Sequence, residues 1–220
     1  QESLQRPRDH FTDLVRSQIE SFGVKPNIYN KEYISKSFLL SGRKVISQID
    51  SAPMISLLSL ANSESHNFTA EVLMKHAAGT WRNTDASNKL YKWLVVNSIP
   101  VNGFVLVDGS GLSRNNRATT LGIASLLWHM DHHRLASFYK SSLAIAGMRG
   151  TLMNFETNSK VYGNFYGKTG TLSGVRAISG ILNTVERIRY ISIINNHGYL
   201  QDSIITRIIN VVNKYSQCFN

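Results

Sequence analysis

A cation, two hydroxyls and a glycine follow one another in the segment Lys168-Thr169-Gly170-Thr171. Lysine and threonine can bind a carboxylate together, and the glycine lets the backbone of a ligand approach closely. The residues around the segment have the composition of a strand. The pattern therefore predicts anion recognition along a strand. A motif this short recurs by chance, so it needs partners elsewhere in the chain.

A Ser-x-Asn element is the partner that this chemistry requires. Acyl-transfer enzymes that use serine and lysine place such an element opposite a Lys-Thr-Gly strand, across one cleft. Ser65-His66-Asn67 precedes an amphipathic helical segment, in a connection from which side chains can reach a cleft. Ser113-Arg114-Asn115 lies in a glycine-rich turn and is the second candidate. A plain helix N-cap is the alternative role for Ser65 and Asn67, because both residue types are favoured there.

The composition is typical of a soluble globular protein, with 42% hydrophobic and 17% charged residues among 220. The apolar runs are too short to cross a bilayer, so no transmembrane segment is predicted. The only cysteine, Cys218, excludes an internal disulfide and a cysteine-based metal cluster. His129, His132 and His133 lack an accompanying carboxylate pattern and are interpreted as an exposed helix end. The sequence thus predicts no metal site and no cofactor.

The net charge of +10 suggests affinity for polyanions, which brings nucleic acid and an anionic cell wall or membrane surface into consideration. The basic residues are scattered, however, and no run of five or six like charges occurs. A nucleic-acid-binding protein would need clustered cations interleaved with exposed aromatic residues. A solvated basic surface is therefore the preferred interpretation, and no nucleic-acid partner is expected.

The elements that must position these residues follow from hydrophobic periodicity and turn signals. Three strands at 164–171, 175–182 and 189–195 should form antiparallel hairpins, with a final helix at 202–212 packed on them. Upstream, the patterns predict helices at 8–22, 53–61 and 68–78, one capped by Thr84 or Asp85, and one from Thr119 or Thr120 to Trp128, with strands at 44–49 and 104–107. The expected fold class is α+β: an antiparallel sheet with helices on one face and a helical subdomain bearing Ser65.

Five blocks of sequence carry a resemblance to a known family, and they occur in its order: LSLANSESHNFTAEVLMKHAAG, GTWR, VLVDGSGLSRNNR, LAIAGMRGTL and GKTGTLSGV. The chain resembles the D-alanyl-D-alanine carboxypeptidase/endopeptidases, the class C low-molecular-mass penicillin-binding proteins. Five ordered blocks are far more specific than one motif. The resemblance implies a transpeptidase-like fold shared with penicillin-binding proteins and serine β-lactamases. It assigns the Ser-x-Asn element to Ser65 and Asn67. It also implies that Ser113-Arg114-Asn115 matches the element only by chance.

The activity that the resemblance implies is cleavage after the first D-alanine of a peptidoglycan stem, or of a D-alanine cross-link, through an acyl-serine intermediate. Lys168 would supply positive potential, and Ser65 would relay a proton toward the leaving amine. Asn67 would bind the acyl-side amide and hold a catalytic lysine. Thr169 and Thr171, with Gly170 between them, would bind the terminal carboxylate, and the N–H of Thr171 would form half of the oxyanion hole. Expected partners are stem peptides and β-lactam inhibitors, in a periplasmic or extracytoplasmic location.

The nucleophile that this mechanism needs is a serine followed three residues later by lysine, at the start of a helix. Ser41-Gly42-Arg43-Lys44 matches that pattern, but it contains a glycine and precedes a segment that is predicted to form a strand. Ser137-Phe138-Tyr139-Lys140 also fits but follows Ser65, which is the wrong order for the family. Both are rejected. The chain is therefore expected to be the C-terminal part, over 1–220, of a longer enzyme whose first segment carries a signal peptide and the nucleophile.

Two other interpretations stay open at this point. A degenerate homologue, or a fragment, would bind peptidoglycan or penicillin without cleaving it. A class A β-lactamase would share the two motifs, but it predicts a deacylating glutamate loop between them and has no place for the segment DGSGLSR. By this reasoning, 220 residues without an activated nucleophile should be a poor catalyst on their own.

Overall fold

The computed structural model describes residues 7–25, 50–155, 160–196 and 202–214. The chain divides into two compact units, Gln1–Ala52 and Pro53–Asn220. In the first unit, helix α1 spans Pro7–Ser21, and Gly23 follows it with a φ of +78°, a conformation that favours glycine. The strand expected at 44–49 lies outside the described residues.

The described part of the second unit holds helices first and the main sheet afterwards. Its elements in chain order are α2 (Met54–Asn62), α3 (Asn67–Ala78), α4 (Asn83–Val96), α5 (Thr120–Asp131), α6 (Ala136–Ser142), β1 (Ala144–Ile145), a short 3-10 helix (Gly150–Leu152), β2 (Phe165–Leu172), β3 (Val175–Asn183), β4 (Ile188–Asn196) and α7 (Asp202–Lys214). No helix within the described ranges is long and apolar enough to span a membrane.

Local sequence signals explain several of these boundaries. Pro53 occupies the N-cap of α2, and Gly79 ends α3 in the left-handed conformation, with a φ of +64°. The hydroxyl of Thr119 accepts a hydrogen bond from the N–H of Gly122 at 3.2 Å, which caps α5 as expected. The helix continues past Trp128 to Asp131.

Two local expectations are wrong. Residues 104–107 do not form a strand, because Val105 makes only an isolated antiparallel bridge with Arg117 before the chain turns at Asp108. Neither Thr84 nor Asp85 caps α4, since the helix begins one residue before Thr84 with Arg82 at the N-cap. Asp85 instead lies in the first helical turn, where a negative charge interacts favourably with the helix dipole.

The four strands form one antiparallel sheet in the order β1-β2-β3-β4, which confirms the expected hairpins. The hydrophobic core lies between one face of this sheet and α7. Its members are fully or nearly fully buried and come from the strands, the connection before β2 and the last helix: Ala144, Ala146, Leu152, Val161, Phe165, Ile178, Leu182, Ile191, Ile205 and Ile209. The apolar stripe of α7 therefore packs on the sheet, as its periodicity predicts.

Helices cover both faces of the sheet, so the expectation of helices on one face is wrong. Tyr190 alternates with the core residue Ile191 along β4 and therefore faces away from α7. Its hydroxyl donates to Oδ2 of Asp131 at 2.8 Å, and its ring lies 6.4 Å from that of His132, both at the end of α5. The sequence pattern of α5 has no strongly polar stripe from which its packing side could be deduced.

A pair of glycines brings β2 and β3 together beneath an aromatic ring. Gly167 lies opposite Gly180 in the register, and Phe165 lies on the same face of β2. A Cβ added to Gly180 would lie 2.4 Å from the carbonyl oxygen of Tyr166 and 2.6 Å from Cζ of Phe165. The ring thus occupies the space that two side chains would otherwise need.

Replacing Gly180 with alanine should destabilise the protein by about 1–3 kcal/mol, because the new methyl group overlaps backbone and ring atoms. Gly170→Ala is the matched control on β2, since its Cβ would meet only Cβ of Ala177 at 3.5 Å, an ordinary contact. We expect that variant to change the free energy of unfolding by no more than about 0.5 kcal/mol. Urea unfolding measures both; equal losses would contradict the packing argument.

Candidate active site

Ser65 lies in the four-residue connection between α2 and α3, and its backbone is held in a strained conformation. Its φ is +58°, in the left-handed region that residues with a side chain rarely adopt. The N–H of His66 closes this turn by donating to the carbonyl oxygen of Leu60 at 3.0 Å. The half-buried Ser65 side chain is therefore directed by a turn, and not by a regular element.

Neither Ser65 nor Asn67 is the N-cap of α3, so that alternative is wrong. The cap is His66, whose Nδ1 accepts from the N–H of Thr69 at 3.4 Å and lies 2.8 Å from the hydroxyl of Thr69. Asn67 is the first residue of the helix, half-buried at the wall of a cavity. Because His66 caps the helix, the side chains of Ser65 and Asn67 are available for other contacts.

The connection that carries Ser65 is fixed to the segment before β2. The N–H of Thr151 donates to the carbonyl oxygen of Ser63 at 3.0 Å. Gly150 has a φ of +66°, and a Cβ there would lie 2.2 Å from Oγ of Ser63. This close approach requires glycine at position 150, and it brings the connection between α2 and α3 toward the edge of the sheet.

Lys168 and Ser65 meet although 103 positions separate them along the chain. Nζ of Lys168 lies 2.6 Å from Oγ of Ser65 and 2.6 Å from the carbonyl oxygen of Thr169, and it donates to both. Burial lowers the pKa of the Lys168 ammonium from its ordinary value of 10.5, because desolvation disfavours the charged form. Two acceptors hold the cation in place, in a setting where proton release is easier than in water.

Strand β2 presents an open edge next to this contact. The short strand β1 pairs only with Tyr166 and Gly167, so residues 168–172 lack a neighbouring strand on that side within the described structure. The carbonyl oxygen of Phe165 points to the β1 side, where it accepts from the N–H of Ala146. Because main-chain groups alternate along a strand, the N–H and C=O of Thr169 and Thr171 face the same open edge.

The side chains of β2 point alternately to the two faces of the sheet. Thr169 and Thr171 share a face with the core residue Phe165, whereas Lys168 projects from the opposite face. The hydroxyl of Thr169 donates to Oγ1 of Thr151 at 2.9 Å. The hydroxyl of Thr171 accepts from Nη1 of Arg176 at 2.8 Å, which leaves its own proton available for a ligand.

The Ser-x-Asn element and the Lys-Thr-Gly segment both line one cavity of about 590 Å³. All six residues expected at the site line it: Ser65, Asn67, Lys168, Thr169, Gly170 and Thr171. The family resemblance implied that the segment DGSGLSR shapes the cleft, but sequence reasoning named no site residue in it and did not single out residue 151. The additional lining residues include Thr151 and the loop residues Gly109, Ser110, Gly111 and Leu112. The signal for the loop in the sequence was its place among the five matching blocks.

The second Ser-x-Asn candidate does not line this cavity. The N–H of Ser113 donates to Oδ2 of Asp108 at 2.8 Å, and its hydroxyl accepts from the N–H of Asn115. These are contacts of a local turn, so Ser113 and Asn115 act within the loop. The assignment to Ser65 and Asn67 agrees with this geometry.

Neither Ser-x-x-Lys string supplies a hydroxyl at the cavity in the described structure. Residues 41–44 lie outside the described ranges. Ser137 is exposed on α6, and Lys140 donates from Nζ to Oδ1 of Asn183 at 2.9 Å. The same ammonium lies 4.8 Å from the centroid of the Tyr166 ring. Lys140 is thus engaged on the sheet, away from the contact between Lys168 and Ser65.

The three clustered histidines lie at the end of α5 among aromatic rings. The ring of His132 stacks on Trp128 with centroids 4.6 Å apart, and that of His129 meets Trp93 edge-on at 5.5 Å. His132 is the C-cap of the helix and is exposed, as expected of a helix end.

Comparison with known proteins identifies the family. Residues 3–214 match the D-Ala-D-Ala carboxypeptidase 3 (S13) family. The chain belongs to that family. The D-alanyl-D-alanine carboxypeptidase of Actinomadura sp. (strain R39) is 33% identical over 184 residues, which are 75% of this chain and 34% of that protein. The resemblance to class C low-molecular-mass penicillin-binding proteins is thus confirmed.

Solved structures of related proteins share the fold of this family member. Penicillin-binding protein 4 from Haemophilus influenzae, in complex with a β-lactam, superposes with a TM-score of 0.65 at 22% identity, over 73% of this chain and 41% of that one. A predatory peptidoglycan endopeptidase from Bdellovibrio bacteriovorus gives a TM-score of 0.59 at 18% identity, over 98% and 56%. These similarities confirm the penicillin-binding-protein fold.

The chain of this family member spans less than half the length of the curated relatives it matches, with shares of 34%, 24%, 44% and 42%.

Two substitutions at Ser65 should separate backbone strain from side-chain loss. Both Ser65→Ala and Ser65→Gly remove the hydroxyl that accepts from Lys168, but only glycine tolerates a φ of +58°. We expect Ser65→Gly to be more stable than Ser65→Ala by about 1 kcal/mol. The free energy of unfolding in urea measures the difference. An alanine variant as stable as the glycine variant would argue against strain at this position.

The stability of the protein should rise with alkaline pH because of Lys168. Its folded pKa lies below the unfolded value, so between the two the unfolded state binds more protons, and stability increases as pH rises toward 10.5. Lys168→Met removes this contribution. Relative to that variant, the wild type should gain stability as pH increases through this window.

The measurement should stop below the ordinary tyrosine pKa of 10.0, because burial raises the pKa of both Tyr139 and Tyr190 to about 12. Above pH 10 those residues act in the opposite direction and lower stability as pH rises. Parallel pH profiles for the wild type and Lys168→Met would contradict a desolvated ammonium.

Proposed function

We propose that this chain forms two walls of the cleft of a serine-type D-Ala-D-Ala carboxypeptidase/endopeptidase that acts on peptidoglycan stem peptides through an acyl-serine intermediate. The observation that carries the proposal is the 2.6 Å contact between Nζ of Lys168 and Oγ of Ser65, inside a cavity that also holds Asn67. A lysine and a serine at this distance can pass a proton between a leaving amine and the protein.

A ligand that uses both faces of β2 must lie along its open edge. The ammonium of Lys168 and the hydroxyls of Thr169 and Thr171 project from opposite faces, while the main-chain groups between them point outward. An extended peptide can add to such an edge as a further strand. In this arrangement the terminal carboxylate lies at the two threonines, and the positive charge of Arg176 beside Thr171 strengthens its binding.

The proton pathway follows from the same contacts. As the amide bond breaks, Ser65 donates a proton to the departing D-alanine amine and recovers one from Lys168, whose pKa is lowered by burial. The proton that the nucleophilic serine loses on attack then restores Lys168. Asn67 binds the amide on the acyl side from the start of α3. The outward N–H of Thr171 stabilises the oxyanion of the tetrahedral intermediate together with the N–H of the nucleophilic serine.

We assign the nucleophile to a Ser-x-x-Lys segment other than the two rejected strings, 41–44 and 137–140. Its hydroxyl must reach the scissile carbonyl at the cavity of about 590 Å³, where Ser65 and Lys168 meet.

The family and the charge of the chain suggest where this activity takes place. The net charge of +10 suits an anionic cell wall, and relatives are named D-alanyl-D-alanine carboxypeptidases. A structural neighbour is named a peptidoglycan endopeptidase, and another binds a β-lactam. We extend these properties to the present chain: stem peptides as substrates, β-lactams as inhibitors, and a periplasmic or extracytoplasmic location.

Binding of N-acetyl-D-Ala-D-Ala to the chain tests the carboxylate site without requiring an intact nucleophile. Isothermal titration should give a lower affinity for the C-terminal amide of this dipeptide and for N-acetyl-L-Ala-L-Ala. A double variant, Thr169→Val with Thr171→Val, should weaken binding on the order of tenfold or more, because hydrogen bonds to a charged group contribute about 1.5–3 kcal/mol. Equal binding of the D,D and L,L dipeptides would refute the proposed recognition.

Covalent labelling with a fluorescent penicillin, followed by mass spectrometry of the labelled peptide, distinguishes cleavage from binding alone. The 220 residues by themselves should label poorly, and a protein that joins them to a Ser-x-x-Lys segment should label strongly at that serine. A label on Ser65 would contradict its role as a proton relay. A joined protein that binds penicillin reversibly but never becomes labelled would favour the inactive homologue.

A further inference from the structure

A buried ion pair on α3 lies directly behind the wall of the cavity. The side chains of Glu71 and Lys75 are each only 3% exposed, and Oε1 of Glu71 lies 3.0 Å from Nζ of Lys75. Within the described structure, Oε1 takes part in this ion pair and accepts no hydrogen bond. Two charges removed from water in this way are costly unless each is fully paired. The second carboxylate oxygen of Glu71 must therefore have partners of its own.

Those partners are main-chain groups of the loop 108–113. Oε2 of Glu71 accepts from the N–H of Gly109 at 2.7 Å and from the N–H of Ser110 at 3.2 Å. Hydrogen bonds to an ionised acceptor are roughly twice as strong as neutral ones. The carboxylate thus joins a loop to a helix across 38 sequence positions.

The loop packs closely against α3 at the residues that bind the carboxylate of Glu71. A Cβ on Gly109 would lie 2.8 Å from Cβ of Met74 and 2.9 Å from the carbonyl oxygen of Ala70, so only glycine permits the approach. A second carboxylate organises the loop internally, since Asp108 accepts from the N–H groups of Gly111 and Ser113 at 2.7 and 2.8 Å. Asp108 sets the shape of the loop, whereas Glu71 sets its position.

The position of this loop determines the width of the cavity. Ser110, Gly111 and Leu112 line the cavity together with Thr171 and Leu172 of β2. Beyond them, Nη1 of Arg114 donates to the carbonyl oxygen of Ser173 at 3.1 Å, in the turn that follows β2. The loop therefore runs from α3 to the end of β2 and closes one side of the space in which a ligand would lie.

We propose that Glu71 is a positioning residue: its buried carboxylate, with its charge balanced by Lys75, holds the main chain of Gly109 and Ser110 at the distance from β2 that the ligand requires. The consequence for ligand binding rests on the function proposed above, but the positioning itself does not. The placement of Glu71 supports the assignment, because it lies one helical turn after Asn67 on the same helix. The same helix thereby carries Asn67 and positions the loop that forms a further wall of the cavity.

Removing Glu71 alone would leave Lys75 buried without a partner, so the test uses two double variants that both remove the ion pair. Glu71→Gln with Lys75→Met keeps an uncharged oxygen that can accept from the loop. Glu71→Leu with Lys75→Met fills a similar volume and has no acceptor. Neither variant leaves a buried charge without a partner. The leucine variant is expected to be the less stable of the two, because the N–H groups of Gly109 and Ser110 lose their acceptor in it.

Amide hydrogen exchange, followed by NMR, measures the positioning directly. In the leucine double variant, exchange at Gly109 and Ser110 should accelerate on the order of tenfold or more, because both amides lose their acceptor. The glutamine double variant should retain most of the protection. Amides of β3 report opening of the overall fold, so the acceleration at Gly109 and Ser110 must exceed any change in β3. Unaltered exchange at Gly109 and Ser110 in the leucine double variant would overturn the proposal.

Dipeptide binding measures the consequence. N-acetyl-D-Ala-D-Ala should bind the leucine double variant on the order of tenfold more weakly than the wild type, and the glutamine double variant should recover most of that loss. Equal affinities of the two double variants would refute an effect of the loop on the ligand. If the wild type itself binds no dipeptide, the proposed function fails, and the exchange rates alone decide whether Glu71 holds the loop.

Discussion

The contact between the ammonium of Lys168 and the hydroxyl of Ser65 is the constraint on which the rest of the site depends. It joins a strand of the sheet to the connection between two helices, over 103 positions, and it places a partly desolvated cation at the edge of a cavity. Lysine is costly to bury without acceptors, and here a serine hydroxyl and a main-chain carbonyl provide them. The same desolvation that lowers the pKa of the lysine suits it to proton transfer.

Several features of the surrounding fold serve to hold this contact. Ser65 has a left-handed backbone, which is unfavourable for a serine and persists because neighbouring contacts determine it. Gly150 allows the connection to approach the segment before β2, and Thr151 is bonded to Ser63. On α3, Glu71 fixes the loop that contains Ser110. A strained turn, a close glycine contact and a buried ion pair thus lie around one cavity, a combination that is common at functional sites.

The local elements could largely be predicted because they follow from short-range physics. The strands at 165–172 and 175–183 were evident from their composition and from the turn at Gly174, and the stripe of α7 indicated its packing on the sheet. The cap at Thr119 and the helix end at Gly79 are likewise local. The expected strand at 104–107 was wrong, since a strand needs a partner and only a single bridge is present there. Helices on both faces of the sheet were missed, because α5 has no clear polar side.

The sequence by itself determined which residues could do chemistry. The side chains of Lys168, Thr169, Ser65 and Asn67 have the donors and acceptors for acyl transfer wherever the chain places them. The order of five sequence blocks, two of which contain these residues, indicated the family. Only the tertiary structure decided that they share one cavity, that His66 and not Ser65 caps α3, and that Glu71 anchors the loop that forms a further wall. The physical reason is that a buried charge and a strained turn depend on contacts between distant segments, and such contacts leave no periodic pattern in the sequence.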